Sequence, residues 1–208
     1  MYIFRFNTQP VRRTWAKLQT FFMNFKIDIS NEPSHEASLL LLNHQSVVDI
    51  VAFEAIYPKN ICWVAKKEIQ DIPLFGHVVN APRMIAIDRS DKRSLIKMLK
   101  IAKERLEEGR VIAMFPEGTR GDGHTLLPFQ SGAKVLAEKL GLIVQPALII
   151  NANRVFDSKT LRAHGRQSVQ VIYLEPINPK ENVNWYEQMQ MDMKERLRIE
   201  LANTSSNR

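Results

Sequence analysis

Two residues with chemistry in common stand five positions apart in the run Asn43-His44-Gln45-Ser46-Val47-Val48-Asp49. A histidine titrates close to neutrality, so its imidazole can take a proton from an attacking hydroxyl. A carboxylate within reach can fix the ring's tautomer and stabilise the imidazolium that forms. His44 follows the apolar run Ser38 to Leu42, and a helical segment begins soon after it. Strand ends of this kind carry functional residues in α/β folds. The turn between strand and helix lets Asp49, on the first helical turns, fold back toward His44. Ser46 reads as a cap for that helix rather than as a nucleophile.

Two later strand ends offer charge. In Phe115-Pro116-Glu117-Gly118-Thr119-Arg120-Gly121 the glycines let a backbone approach a ligand closely. Arg120 supplies a planar fork suited to phosphate oxygens. Glu117 either accepts a hydrogen bond from a substrate hydroxyl or braces Arg120. In Ile85-Ala86-Ile87-Asp88-Arg89, followed by Lys92 and Arg93, Arg89 is a candidate anion ligand near a helix start. The other reading is a solvated Asp88-Arg89 pair.

The elements that must position these residues alternate along the chain. Strands are predicted at Ser38 to Leu42, Ile61 to Ala65, Met84 to Ile87, Val111 to Phe115, Leu142 to Ile150 and Val169 to Leu174. Leu95, Leu99, Ala102 and Leu106 form a helical stripe that Gly109 stops, and Ala133, Leu136, Ala137 and Leu140 form another that Gly141 stops. Trp185, Met189, Met193, Leu197 and Leu201 form a third, read as core packing. The fold class is therefore α/β, a layered domain whose largely parallel, mixed sheet is flanked by helices.

The N-terminus is different in kind. Residues 1–27 hold five basic and no acidic residues, and seven of the chain's seventeen aromatics. Val11, Trp15, Leu18, Phe22 and Phe25 recur at helical spacing, which predicts a basic amphipathic helix lying in a membrane interface. Arg12, Arg13, Trp15, Phe22 and Phe25 are its expected membrane contacts. The expected organisation is a membrane-interface segment over 1–30, a catalytic domain over 31–202 and a disordered tail over 203–208.

A formal charge of +7 asks for an anionic partner. A nucleic-acid module would want cations on a recognition helix or aromatics on a sheet face, and the aromatics crowd the N-terminus instead, so no nucleic-acid partner is expected. The single cysteine, Cys62, permits no internal disulfide and fits a reducing compartment. No metal-ligand spacing and no run of about 20 apolar residues are present, so neither a metal site nor a spanning helix is expected. No signal peptide is expected either.

Together these motifs resemble the glycerolipid acyltransferases. Asn43-His44 with Asp49, Ile87-Asp88-Arg89, Phe115 to Arg120 and Val144-Gln145-Pro146-Ala147 stand in the order of that family's four motifs. The resemblance is nearest to the bacterial branch acting on 1-acyl-glycerol-3-phosphate. Ala65-Lys66-Lys67-Glu68, Pro73-Leu74-Phe75-Gly76 and Leu127 to Ala133 resemble its linking segments. It implies His44 as general base with Asp49 as its partner. It further implies Arg89 and Arg120 on the acceptor's phosphate, Glu117, Gly118 and Thr119 shaping the acceptor site, and Lys66 or Lys67 adding charge. The reaction implied is acyl transfer to the sn-2 hydroxyl from a thioester on acyl carrier protein or coenzyme A, with no other cofactor. The implied partners are anionic membrane lipids and the acyl carrier. The implied location is the cytoplasmic face of the inner membrane, peripheral or monotopic. Arg83, Ala86 and Gln130 depart from the family pattern and bear on the acceptor, for which another lysophospholipid or an ornithine-type lipid is the alternative. A non-catalytic basic membrane-binding protein is the reading from another class, and the intact His44, Asp49 and Glu117 speak against it.

Overall fold

The computed structural model describes residues 8–70, 80–88, 91, 93–158 and 160–206. Along the chain they form α1 (Gln9–Phe22), β1 (Phe25–Ser30), β2 (Leu39–Leu42), α2 (Val48–Ile56), β3 (Ile61–Lys66), α3 (Lys67–Gln70), β4 (Ile85–Ile87) and α4 (Arg93–Glu107). They continue with β5 (Val111–Met114), α5 (Ser131–Leu140), β6 (Val144–Ile150), α6 (Ala152–Val155), β7 (Phe156–Asp157), β8 (Arg162–Ala163), β9 (Gln167–Tyr173) and α7 (Trp185–Ser206). Arg89, Lys92 and the Pro73-Leu74-Phe75-Gly76 segment lie outside the described residues.

Seven strands form one sheet in the order β1-β9-β6-β2-β5-β3-β4, and β7 and β8 make a separate two-stranded ribbon. In the large sheet five strand pairings are parallel and only β6 with β9 is antiparallel. The fold is thus the expected α/β layered domain with a mostly parallel sheet. All four leucines of β2 are buried because the strand is covered on both faces. Leu39 and Leu41 join one core with Met98 and Ala102 of α4, Leu136 of α5 and Trp185 and Met193 of α7. Leu40 and Leu42 point the other way, to Ala16 of α1, Phe53 of α2 and Val155 of α6. The period of two along a strand produces this division.

Topology places the site. From β2 the chain crosses to β3, and after β5 it returns to β6 on the opposite side of β2. Reversals of this kind open a crevice at the carboxyl ends of the strands.

Three expectations need correction. Phe25 lies in β1, not on the N-terminal helix; it is buried, and residues Phe25 to Ser30 pair in parallel with β9. Met23 caps α1 and Asn24 turns to φ 50°, so the helical register ends before Phe25. The sheet domain therefore takes in β1, and no boundary falls at residue 30. Finally, α7 runs to Ser206 where a disordered tail was expected from Asn203. Leu197 is buried and Leu201 packs against the core, and adding a residue to an anchored helix requires no new nucleus.

Candidate active site

The loop after β2 carries His44, whose Nδ1 lies 2.7 Å from Asp49 Oδ2. Asp49 is wholly buried on the first turn of α2. The same Oδ2 accepts the backbone N–H groups of Gln45 at 2.6 Å and Ser46 at 2.9 Å. One carboxylate oxygen therefore holds the loop and the ring together. A carboxylate on Nδ1–H leaves Nε2 as the basic nitrogen, and His44 lines a cleft of about 1090 Å³.

The loop's backbone is held from both sides. His44 N–H donates to Glu117 Oε1 at 2.8 Å, and the His44 carbonyl accepts Gly121 N–H at 2.8 Å. Leu127 N–H donates to Glu117 Oε2 at 2.7 Å. Burial pushes the Glu117 carboxyl above the usual carboxylate range, opposed by the Leu127 and His44 N–H bonds. Glu117 was expected to shape the acceptor site or brace Arg120. Both of its oxygens instead serve backbone N–H groups, and the side chain stitches the loop after β5 to the loop after β2. Behind the loop, Asn43 exchanges two hydrogen bonds with Ile149 of β6, at 2.9 and 2.6 Å, and Gln45 Nε2 donates to the same Ile149 carbonyl at 2.7 Å. Ser46 is fully buried, and its hydroxyl donates to the Phe156 carbonyl at 2.6 Å and accepts Val48 N–H at 3.3 Å. The N-cap of α2 is Val47, which makes no side-chain cap bond, so Ser46 is not the cap expected of it; it braces the turn one residue earlier and does not line the cleft.

The cleft gathers most of the other candidates. Gly118, Thr119 and Arg120 line it, as does Lys66 at the end of β3. Gly118 sits at φ 75°, where its N–H closes a turn onto the Phe115 carbonyl at 3.0 Å. Gly123, at φ 84°, leaves no room for a Cβ: one would lie 2.7 Å from Asn153 Nδ2. The loop is tied to α6 there by Asn153 Nδ2, which donates to the Asp122 carbonyl at 2.8 Å. Lys67 is turned instead toward Asp88, 3.9 Å away, and does not line the cleft. Arg154 of α6 also lines it, a cation that no motif in the sequence marks. Val64, Leu95, Met98, Met114 and Ala133 contribute apolar surface to the lining. A lining that combines cations with hydrocarbon suits an amphiphile, although Asp88, Asp91, Asp122 and Asp157 also line the cleft.

The expected membrane contacts divide. Trp15 is 49% and Phe22 72% exposed, with Leu18 and Phe21 exposed beside them. Arg12 is buried: its guanidinium pairs with Glu54 of α2 and donates to Asn60 Oδ1 at 2.7 Å and the Ile61 carbonyl at 3.1 Å. Arg13 reaches back to the Ile56 carbonyl at 3.4 Å, at the C-terminus of α2. Both arginines therefore fasten α1 to the domain, because a buried carboxylate and unpaired helix-end carbonyls offer them more than water does. Burial holds Arg12 below its ordinary range and Glu54 above its own, each opposed by the other's charge.

Among the described residues no helix is long and apolar enough to cross a membrane. No group of three or more metal-binding side chains occurs among them.

Comparison with known proteins gives these features a context. The family model described as "Acyltransferase" matches residues 25–150. The chain is 45% identical over 159 residues to a 1-acyl-sn-glycerol-3-phosphate acyltransferase of Helicobacter pylori, covering 76% of this chain and 67% of that protein. A chloroplastic 1-acyl-sn-glycerol-3-phosphate acyltransferase of Arabidopsis thaliana is 30% identical over 173 residues, covering 81% of this chain and 48% of its own length. A lyso-ornithine lipid O-acyltransferase of Rhizobium meliloti is 27% identical over 120 residues, covering 57% of this chain and 40% of its own. The crystal structure of a 1-acyl-sn-glycerophosphate acyltransferase from Thermotoga maritima superposes with a TM-score of 0.75 at 20% identity, covering 91% of this chain and 78% of that one.

Proposed function

Because the chain belongs to the acyltransferase family, we propose that it transfers a fatty acyl group from a thioester to the sn-2 hydroxyl of 1-acyl-glycerol-3-phosphate, giving phosphatidic acid. The observation that carries this reading is the 2.7 Å contact between His44 Nδ1 and Asp49 Oδ2 on a cleft lined by both charged and apolar side chains. Nε2 takes the proton of the acceptor hydroxyl as the oxygen attacks the thioester carbonyl. The tetrahedral intermediate collapses by breaking the C–S bond. The departing thiolate takes the proton back from the imidazolium and leaves as a thiol. A thiol's ordinary pKa near 8.5 makes this departure easy without a separate acid. Asp49 holds the tautomer and balances the imidazolium. We assign the acceptor's phosphate to Arg120 and Lys66, two cations that line the cleft, Lys66 from an ion pair with Glu68 at 2.8 Å.

The donor is acyl carrier protein or acyl-coenzyme A, whose thioesters are chemically equivalent at the reacting carbon. The exposed aromatic face of α1 supports attachment to a membrane surface, because contiguous apolar side chains on an amphipathic helix insert into a lipid interface, with Lys17 as the exposed cation beside them. We place the protein peripherally on the cytoplasmic face.

The test is thiol release from acyl-coenzyme A and from acyl carrier protein, crossed with 1-acyl-glycerol-3-phosphate and with a lyso-ornithine lipid. Release dependent on the phosphate acceptor is expected, and His44→Ala abolishes it without moving the melting temperature by more than a few degrees. A folded His44→Ala protein with full activity overturns the base assignment. Release with the ornithine acceptor alone overturns the choice of acceptor.

A further inference from the structure

Asp49 fixes one atom of the His44 ring, and one contact does not fix a plane. A base that reaches a hydroxyl through Nε2 must also be held against rocking about the Nδ1 bond. The structure supplies a second restraint. Phe115 lies flat against the imidazole, with ring centroids 3.8 Å apart and planes 12° from parallel. Trp63 stacks on Phe115 in turn, at 5.4 Å and 18°. The strand order β2-β5-β3 puts Phe115, just past β5, between His44 and Trp63. Trp63 cannot slide, because its indole N–H donates to Glu54 Oε1 at 2.8 Å and Glu54 is held by Arg12 of α1. Trp63 is 5% exposed and Glu54 7%, so this support is closed to water.

Resting on the reading of His44 as the base, we propose that Phe115 is a positioning residue for the reaction. It is a flat platform, backed by Trp63, that sets the plane of the imidazole while Asp49 sets its tautomer. The platform also acts on charge. As His44 takes the proton its ring becomes a cation against the negative face of an aromatic, which favours the transition state over the resting enzyme. Packing alone would ask only for an apolar side chain of the right volume at position 115. The platform asks for an aromatic one.

The experiment compares Phe115→Leu with Phe115→Tyr, each in the full chain. The readouts are melting temperature, kcat and KM for both co-substrates, and the ring-proton shifts of His44 in histidine-labelled protein. The His44 resonance is identified by its loss in His44→Ala. Phe115→Leu is expected to lower kcat about 10- to 100-fold, the scale of a base displaced by a fraction of an ångström to 1 Å. Both KM values stay within about twofold, and the upfield ring-current displacement of the His44 signal is lost. Phe115→Tyr keeps the stacked ring and restores kcat to within about threefold of the parent, the size of one modest contact. A folded Phe115→Leu enzyme with unchanged kcat overturns the proposal. So does a Phe115→Tyr enzyme as slow as the leucine variant, or a loss confined to KM. Should Phe115→Leu fail to fold, Phe115→Met takes its place with the same outcomes. His44→Ala in the same assay separates the two ideas. An active His44→Ala enzyme sinks the base assignment, whereas an inactive one beside a fully active Phe115→Leu enzyme sinks only the platform.

Discussion

Glu117→Gln distinguishes a carboxylate that touches substrate from one that holds the catalytic loop. The carboxylate is 4% exposed and gives one oxygen to His44 N–H at 2.8 Å and the other to Leu127 N–H at 2.7 Å. An amide of the same shape has one oxygen, and its NH₂ must face the second N–H, donor against donor. The substitution removes one charge-assisted hydrogen bond, worth about 1.5–3 kcal/mol, and leaves a buried donor unpaired at about 1–3 kcal/mol. These overlap, because the unpaired donor is the one that lost its bond. Relief of the buried charge, which burial already disfavours, offsets part of the loss. A net destabilisation of about 2–3 kcal/mol is expected, equivalent to about 4–12 °C in a domain of this size. His44 then sits on a loosened loop, so kcat should fall about 10- to 100-fold with the acceptor KM little changed. Differential scanning calorimetry and thiol-release kinetics on the purified protein read both quantities. An unshifted melting temperature with normal kcat and an acceptor KM raised tenfold or more would refute the reasoning, because the carboxylate would then face the substrate.

Arg12→Ala leaves Glu54 buried without its cation and should cost about 3–5 kcal/mol, measured by urea unfolding; a change below about 1 kcal/mol would remove Arg12 from the structural core. Phe21→Ser with Phe22→Ser touches exposed rings only, so vesicle pelleting with anionic lipid should fall while stability holds, and undiminished pelleting would detach α1 from the membrane. Deleting the first 26 residues would not test that idea, since it also removes Arg12 and Phe25 from the core. At alkaline pH, burial pushes Tyr57 up to about 12 and holds Tyr173 and Tyr186 higher still. An unfolded tyrosine ionises near 10, so above that pH the unfolded chain binds fewer protons than the native one. Stability therefore falls as pH rises from about 10 towards 12. Tyrosinate absorbance should appear together with the loss of circular dichroism, and reversible ionisation of all the tyrosines in a folded protein would contradict it.

What could be read from the chain and what could not follows from the range of each interaction. β2 and β5 are legible because a strand covered on both faces is apolar at every position, as Leu39 to Leu42 show, and β3 and β6 depart from that only at Lys66 and Gln145. His44 and Asp49 are five residues apart, so one turn of chain suffices to join them. β1 was hidden because Phe25 continues the helical spacing of Val11, Trp15 and Leu18. The signal against that spacing was Asn24, a residue type suited to the left-handed turn that ends a helix, and its φ is 50°. Arg12 read as a membrane contact for a different reason. Nothing local tells a cation that faces lipid headgroups from one that meets a carboxylate, and Glu54 lies 42 residues away. Phe115 stood inside a motif read for its charges and glycines, while the partners that give its ring a task arrive from β2 and β3. The consequence for the site is specific. On the proposed reading, local spacing supplies the base and the carboxylate that orients it, and strand order supplies the groups that brace them. Substitutions at Glu117, Trp63 and Phe115 should therefore act on kcat, whereas those at Arg120 and Lys66, on the open cleft, should act on the acceptor's KM.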